Sequence, residues 1–167
     1  MNGDNAGPAG QNKEETRARN YVWRLIKGRL RSEEEIRQKL NLKKYAPPVI
    51  AKTVSYFKGL DYINDLEFAR RWVNSRLRKP LGLKAIAIEL KQKGVSKEII
   101  DELIEQKKRV VDERRVVQEL AEEYFDKLRG KKERPEKLKA KLYGYLLRRG
   151  FSTEVISDAI NRCTSEV

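Results

Sequence analysis

Histidine is absent from this 167-residue chain, and cysteine occurs once, at Cys163. Without an imidazole there is no His-dependent acid-base catalysis, no Ser-His triad and none of the usual His-containing zinc sites. One thiol permits neither an intramolecular disulfide nor a CxxC metal or redox pair. An enzyme would have to work with carboxylates, Lys, Tyr or Ser alone, and no such group stands out. The chain therefore reads as a non-enzyme with no cofactor and no metal. No apolar run approaches the ~20 residues that cross a bilayer, and no stretch resembles the apolar core of a signal peptide. A cytoplasmic protein without a membrane partner is expected.

Strand-like alternation is missing too, whereas helix formers dominate and 39% of the residues are hydrophobic, enough for a real core. The fold class is all-α. Residues 1–12, rich in Gly, Asn, Ala and Pro, read as a disordered tail. Helices are expected at 13–29, 32–41, 47–58, 65–79, 83–93, 97–128, 135–149 and 153–163. Ser32 with Glu35 three residues on matches a capping box. Asp65, Ser96 and Ser152 stand where N-caps belong, and Gly94 and Gly150 where a helix ends in a left-handed residue. Between 96 and 130 no breaker occurs, which predicts one long helix or two nearly collinear ones.

Laid over itself, the chain repeats. "GVSKEII" at 94–100 returns as "GFSTEVI" at 150–156, and Lys44-Tyr45-Ala46-Pro47-Pro48-Val49-Ile50 is a third copy with Pro in place of the polar first turn. Upstream of each copy lies an Ala-x-x-aromatic helix: Ala18 to Tyr21, Ala69 to Trp72, Ala121 to Tyr124. The unit is about 50 residues and three helices, giving repeat 1 at 13–60, repeat 2 at 61–110 and repeat 3 at 111–167, the last carrying extra length near 130–135. Apolar residues fall on one helical face in every third helix: Tyr45, Val49, Ile50, Thr53 and Val54; Val95, Ile99, Ile100, Leu103 and Ile104; Phe151, Val155, Ile156, Ala159 and Ile160. Cys163 continues the last stripe as a core thiol. A single ~50-residue bundle is marginal alone and gains by burying surface on its neighbours. Three bundles in an elongated, curved, solenoid-like row are expected.

Charge suggests what such a row meets. The formal net charge is +13, of which 1–60 contribute +7, 61–110 +4 and 111–167 +2, so polyanions or acidic protein faces are attracted. Arg24, Lys27, Arg29 and Arg31 form one basic run, and Arg70, Arg71, Arg78, Lys79, Lys84, Lys91 and Lys93 flank the polar faces of the second repeat. These are the candidate binding residues, although each taken singly also suits a solvated surface. Arg76, at the edge of an apolar face, fits an ion pair better than a direct contact, and remains in the candidate set. The spacing of Trp72, Phe68, Tyr21 and Tyr124 points inward rather than to base stacking. Asp65 suits an N-cap whose removal costs about 1 kcal/mol.

The stretch "GLDYINDLEFARRWVNSRLRKPLGLKAIAIELKQKGVSKEII" at 59–100 closely resembles the RecX family, through Asn64-Asp65, Phe68-Ala69, Trp72, Arg76, Leu90 and Lys93-Gly94-Val95. "RLRSEEEIRQKL" at 29–40 looks like the same family's first-unit stretch, and the resemblance extends over about 17–163. It implies tandem three-helix repeats that bind the RecA–DNA filament as a monomer. It also implies restraint of the filament's ATP-driven strand exchange and coprotease activity, with single-stranded and double-stranded DNA as further partners. The rival reading is a general nucleic-acid-binding protein that acts without RecA.

Overall fold

The computed structural model describes residues 8–129 and 134–165, and among these every regular element is a helix. The order is α1 (Pro8–Gly28), α2 (Glu33–Leu42), α3 (Pro47–Gly59), α4 (Asp65–Arg76), α5 (Leu83–Gln92), α6 (Lys97–Lys108), α7 (Glu113–Arg129), α8 (Pro135–Arg148) and α9 (Thr153–Ser165). Most of the expected tail, residues 1–7, lies outside the described residues, as does 130–133 of the extra length. α1 begins at Pro8, ahead of the expected start, with proline at the first helical position where its missing N–H is harmless. α4 stops at Arg76 rather than 79, ahead of Pro80, which disfavours helix in the residue before it.

Of the two forms expected over 97–128, one long helix or two, the structure has two. α6 ends at Lys108 and α7 begins at Glu113. Val110, 76% exposed, and Val111 both donate backbone N–H groups to the Lys107 carbonyl, closing α6. Asp112 Oδ1 then accepts from Arg115 N at 3.1 Å, an N-cap that starts α7. The break is made by a cap, not by Gly or Pro.

The chain gathers into two compact units, one of residues through 70 with 92–99, the other of 71–91 with 100 onward. In the first, α1, α2 and α3 pack together around Ala18, Val22, Ile36, Leu40, Val54 and Phe57. In the second, α7, α8 and α9 enclose Val117, Ala121, Leu142, Leu146, Phe151 and Ile156. Cys163 is buried there, as expected. Val49, Ile50, Thr53 and Val54 are buried, as are Val95, Ile100 and Leu103, so the shared apolar register of the third helices is real.

The three copies of the corner are left-handed at the same place: Lys44 at φ 61°, Gly94 at 75° and Gly150 at 80°. At the two glycines a second constraint applies. A Cβ on Gly94 would overlap the side chain of Glu34 in α2, and one on Gly150 would overlap Ala85 in α5, coming within 2.5 Å of its backbone nitrogen. Each of these corners is thus the place where a repeat sits on the middle helix of the repeat before it. Lys44 is exposed, so there the left-handed turn carries a side chain that reaches into solvent.

The two joints share their hydrogen bonds. In the first unit Ser32 Oγ, at the start of α2, donates to the Lys93 carbonyl at 2.6 Å, just ahead of Gly94. In the second unit Gly82 N, at the start of α5, donates to the Arg149 carbonyl at 2.9 Å, just ahead of Gly150. Above each, an acid opening the next repeat's first helix caps the same middle helix: Asp65 Oδ1 accepts from Glu33 N at 2.8 Å, and Glu113 Oε1 from Leu83 N at 2.7 Å.

Asp65 is therefore a cap, but not of its own helix. Asn64 Oδ1 caps α4 by accepting from Glu67 N at 3.0 Å, leaving Asp65 to reach α2. Asp65→Ala is expected to cost about 1 kcal/mol. Hydrogen exchange should quicken at Glu33 N, with the first amides of α4 little changed; faster exchange confined to α4 would contradict the assignment. Ser32 likewise makes only half of a capping box. Its Oγ accepts from Glu35 N at 3.1 Å, but the Glu35 carboxylate turns to Arg29 and Lys93, each at 3.1 Å.

Candidate functional site

The basic residues singled out from sequence divide by where their cations point. Arg29 pairs with Glu35 and donates to the Leu30 carbonyl at 2.9 Å. Arg31 Nε donates to the Leu25 carbonyl at 3.2 Å, tying the end of α1 to the turn that follows. Lys93 pairs with Glu35 and lies 6.0 Å from the Phe68 ring centroid. All three brace the first unit.

Arg76 belongs to a tight group in the second unit. Its Nε meets Glu89 Oε2 at 2.6 Å, the Trp72 indole N–H donates to the same oxygen at 2.7 Å, and the guanidinium stacks 4.4 Å from the Trp72 ring centroid. A half-buried indole and guanidinium thus share one carboxylate across α4 and α5, which satisfies the donors and fixes both rotamers. Trp72 points inward, as its helical spacing implied, half-buried with its polar edge paired.

The others form an outward set. Arg24 and Lys27 on α1, Arg70 and Arg71 on α4, Arg78 and Lys79 beyond its end, and Lys84 and Lys91 on α5 are all exposed. Lys84 and Lys91 are seven residues apart and share one face of α5, with the exposed Ile88 between them. Such long, hydrated side chains can meet an anionic surface at little desolvation cost.

Acidic groups near the first joint respond to their surroundings. Burial pushes the Glu33 carboxyl up, but hydrogen bonds and charges from Lys58 and Arg37 outweigh it and hold the group below its ordinary 4.5. Glu35 is held below 4.5 in the same way, burial being overcome by Arg29 and Lys93. Asp65 goes the other way: burial lifts it above its ordinary 3.8 with help from the Glu33 charge, against the pull of the Glu33 N–H. Depressed carboxylates contribute stability above their unfolded pKa that is lost as pH falls through the folded one. Asp65, being raised, has the opposite sign and partly offsets the loss. The melting temperature should accordingly drop on acidification from about pH 5 to about pH 3, and Glu35→Gln should flatten the drop. An identical profile for the variant would remove Glu35 from that account.

Sequence reading missed the exposed aromatics of the first unit. Trp23, Tyr56 and Tyr62 stand together at the surface, with Arg19 over Tyr56 and Lys27 near Trp23. The signal was legible in α1, where Arg19, Trp23 and Lys27 recur every four residues and alternate cation, ring, cation on one face. Among the described residues no group of acidic or Cys side chains could hold a metal ion, and no helix is long and apolar enough to cross a membrane.

Comparison with known proteins gives one answer over most of the chain. Three domain models of one family match in order: the RecX first three-helix domain at 18–57, the second at 64–104 and the third at 112–160. A Clostridium beijerinckii protein named Regulatory protein RecX is 33% identical over 147 residues, covering 87% of this chain and 68% of its own length. A Haemophilus influenzae protein of the same name is 31% identical over 148 residues, covering 88% of this chain and 95% of its own. Among solved structures, RecX from Lactobacillus salivarius superposes with a TM-score of 0.77 at 21% identity, over 91% of this chain and 97% of that one, a likeness of fold.

Proposed function

Because the chain belongs to the RecX family of regulatory proteins, we propose that it is a non-enzymatic regulator that binds RecA–DNA filaments. It lies in the filament groove with its exposed basic side chains toward the nucleoprotein. From there it obstructs the second DNA strand and the subunit rearrangements coupled to ATP turnover, and so restrains strand exchange and coprotease activity. The observation that carries the reading is the ordered match of all three domains. The exposed cations of α4 and α5 are consistent with it: a protein with a net charge of +13 that turns Arg70, Lys84 and Lys91 outward offers them to polyanions. The chain acts in this role as a monomer.

The test is ATP hydrolysis by RecA filaments on single-stranded DNA with the purified protein added. A falling rate together with co-sedimentation with the filaments is expected. An unchanged rate with no co-sedimentation would sink the proposal.

A further inference from the structure

Four large side chains of the first unit are exposed side by side: Trp23 at 39%, Tyr56 at 43%, Tyr62 at 47% and Leu60 at 50%. They come from α1, the end of α3 and the turn after it. Phe57, buried beneath, braces them. The Trp23 ring is stacked over it with centroids 6.4 Å apart, and Tyr62 meets Trp23 edge-on at 5.1 Å. A single exposed aromatic needs no explanation, but several converging on a groove of about 460 Å³ imply a ligand.

The charges around the groove select its class. Thr16, Arg19 and Asn20 complete the lining; no lining residue is acidic, and Glu15, one turn before Arg19, approaches its guanidinium at 4.0 Å while pairing with Lys52 at 2.7 Å. The Arg19 guanidinium sits 4.2 Å from the Tyr56 centroid, and the Lys27 ammonium 5.9 Å from that of Trp23. A second copy of this chain would bring 38 further Lys and Arg against 25 Asp and Glu, adding repulsion. A ligand with flat rings and negative charge on one backbone satisfies both halves of the surface.

We propose that this groove is a base-stacking site for a single-stranded nucleic acid. Trp23 and Tyr62 supply ring surface to the bases, and Arg19, Lys27 and the exposed Arg24 meet the phosphates. Bases in a duplex are already stacked and paired, so the site selects single strands. Nothing in this depends on the filament reading above.

The full chain is titrated with a labelled oligothymidylate of about 20 nucleotides at roughly physiological salt, following anisotropy and, with unlabelled strand, tryptophan emission. Trp72 is half-buried and hydrogen-bonded to Glu89, so quenching reports on Trp23. Oligothymidylate should quench the emission, and inorganic polyphosphate should bind without quenching. Tyr62→Ala, on an exposed turn, and Trp23→Ala should each weaken oligothymidylate binding about tenfold, as removal of one stacking partner does. Unchanged affinity in Tyr62→Ala and Trp23→Ala, or equal quenching by polyphosphate, overturns the site. Retained oligothymidylate affinity with diminished affinity for RecA-coated strands would make the groove a protein-docking face, which also overturns it. Failure of the filament reading appears separately, in the wild-type ATPase assay.

Discussion

Gly150→Ala should lower the unfolding free energy by about 2–4 kcal/mol, whereas Lys44→Gly, at the equivalent place in the first repeat, should raise it by about 0.5–1 kcal/mol. The opposite signs follow from two separable demands. All three corners are left-handed, a conformation that costs a side-chain-bearing residue on the order of 1 kcal/mol or more and glycine almost nothing. Lys44 carries that cost now, so glycine relieves it, less the greater freedom glycine gives the unfolded chain. At Gly150 the added methyl also meets Ala85 of α5, whose backbone cannot yield without displacing the joint. Overpacking of this kind costs about 1–3 kcal/mol more. Urea unfolding of the two single variants, followed by circular dichroism, gives both signs at once. A Gly150→Ala protein with the wild-type midpoint would mean that the corner does not bear on α5.

Reversal of Arg78, Lys84 and Lys91 to glutamate should weaken binding to RecA-coated single strands on the order of tenfold or more at physiological salt. These cations are exposed, and Lys84 and Lys91 share one face of α5. Reversal should leave the helix content unchanged while turning attraction into repulsion. Reversal of Lys137 and Lys139, exposed on α8 in the repeat with the smallest excess of positive charge, should have the smaller effect. The salt dependence separates local binding from general attraction: if the cations meet phosphates, the slope of log affinity against log salt should fall by about 0.7–0.9 for each phosphate no longer neutralised. Weakening by the two sets in proportion to the charge reversed, three cations against two, would show that only net charge matters.

Much of this protein was legible one residue at a time. The apolar stripe of each third helix, the repeat of about 50 residues and the glycines at 94 and 150 follow from periodicity and backbone sterics, and the structure keeps them in register. The position of the break at 109–112 escaped because its signal is a lone aspartate. Asp112-Glu113 repeats Asn64-Asp65, a cap for its own helix followed by an acid for its neighbour, but polar pairs are common in helices and carry no breaker. The aromatic surface escaped for a related reason. Helical spacing places Trp23 on the same face as Arg19 and Lys27, yet only the end of α3 and the following turn bring Tyr56 and Tyr62 to it.

The sequence by itself determined the helices, their apolar faces, the threefold repetition and the basic excess, because each depends on local conformation or composition. Tertiary structure decided which partner each polar group takes. Asp65 leaves its own helix for α2, Glu35 leaves the capping box for Arg29 and Lys93, and Arg76 shares Glu89 with Trp72. A buried or half-buried polar group bonds to whatever the fold brings within about 3 Å, and that proximity is set by packing between helices rather than by spacing along the chain.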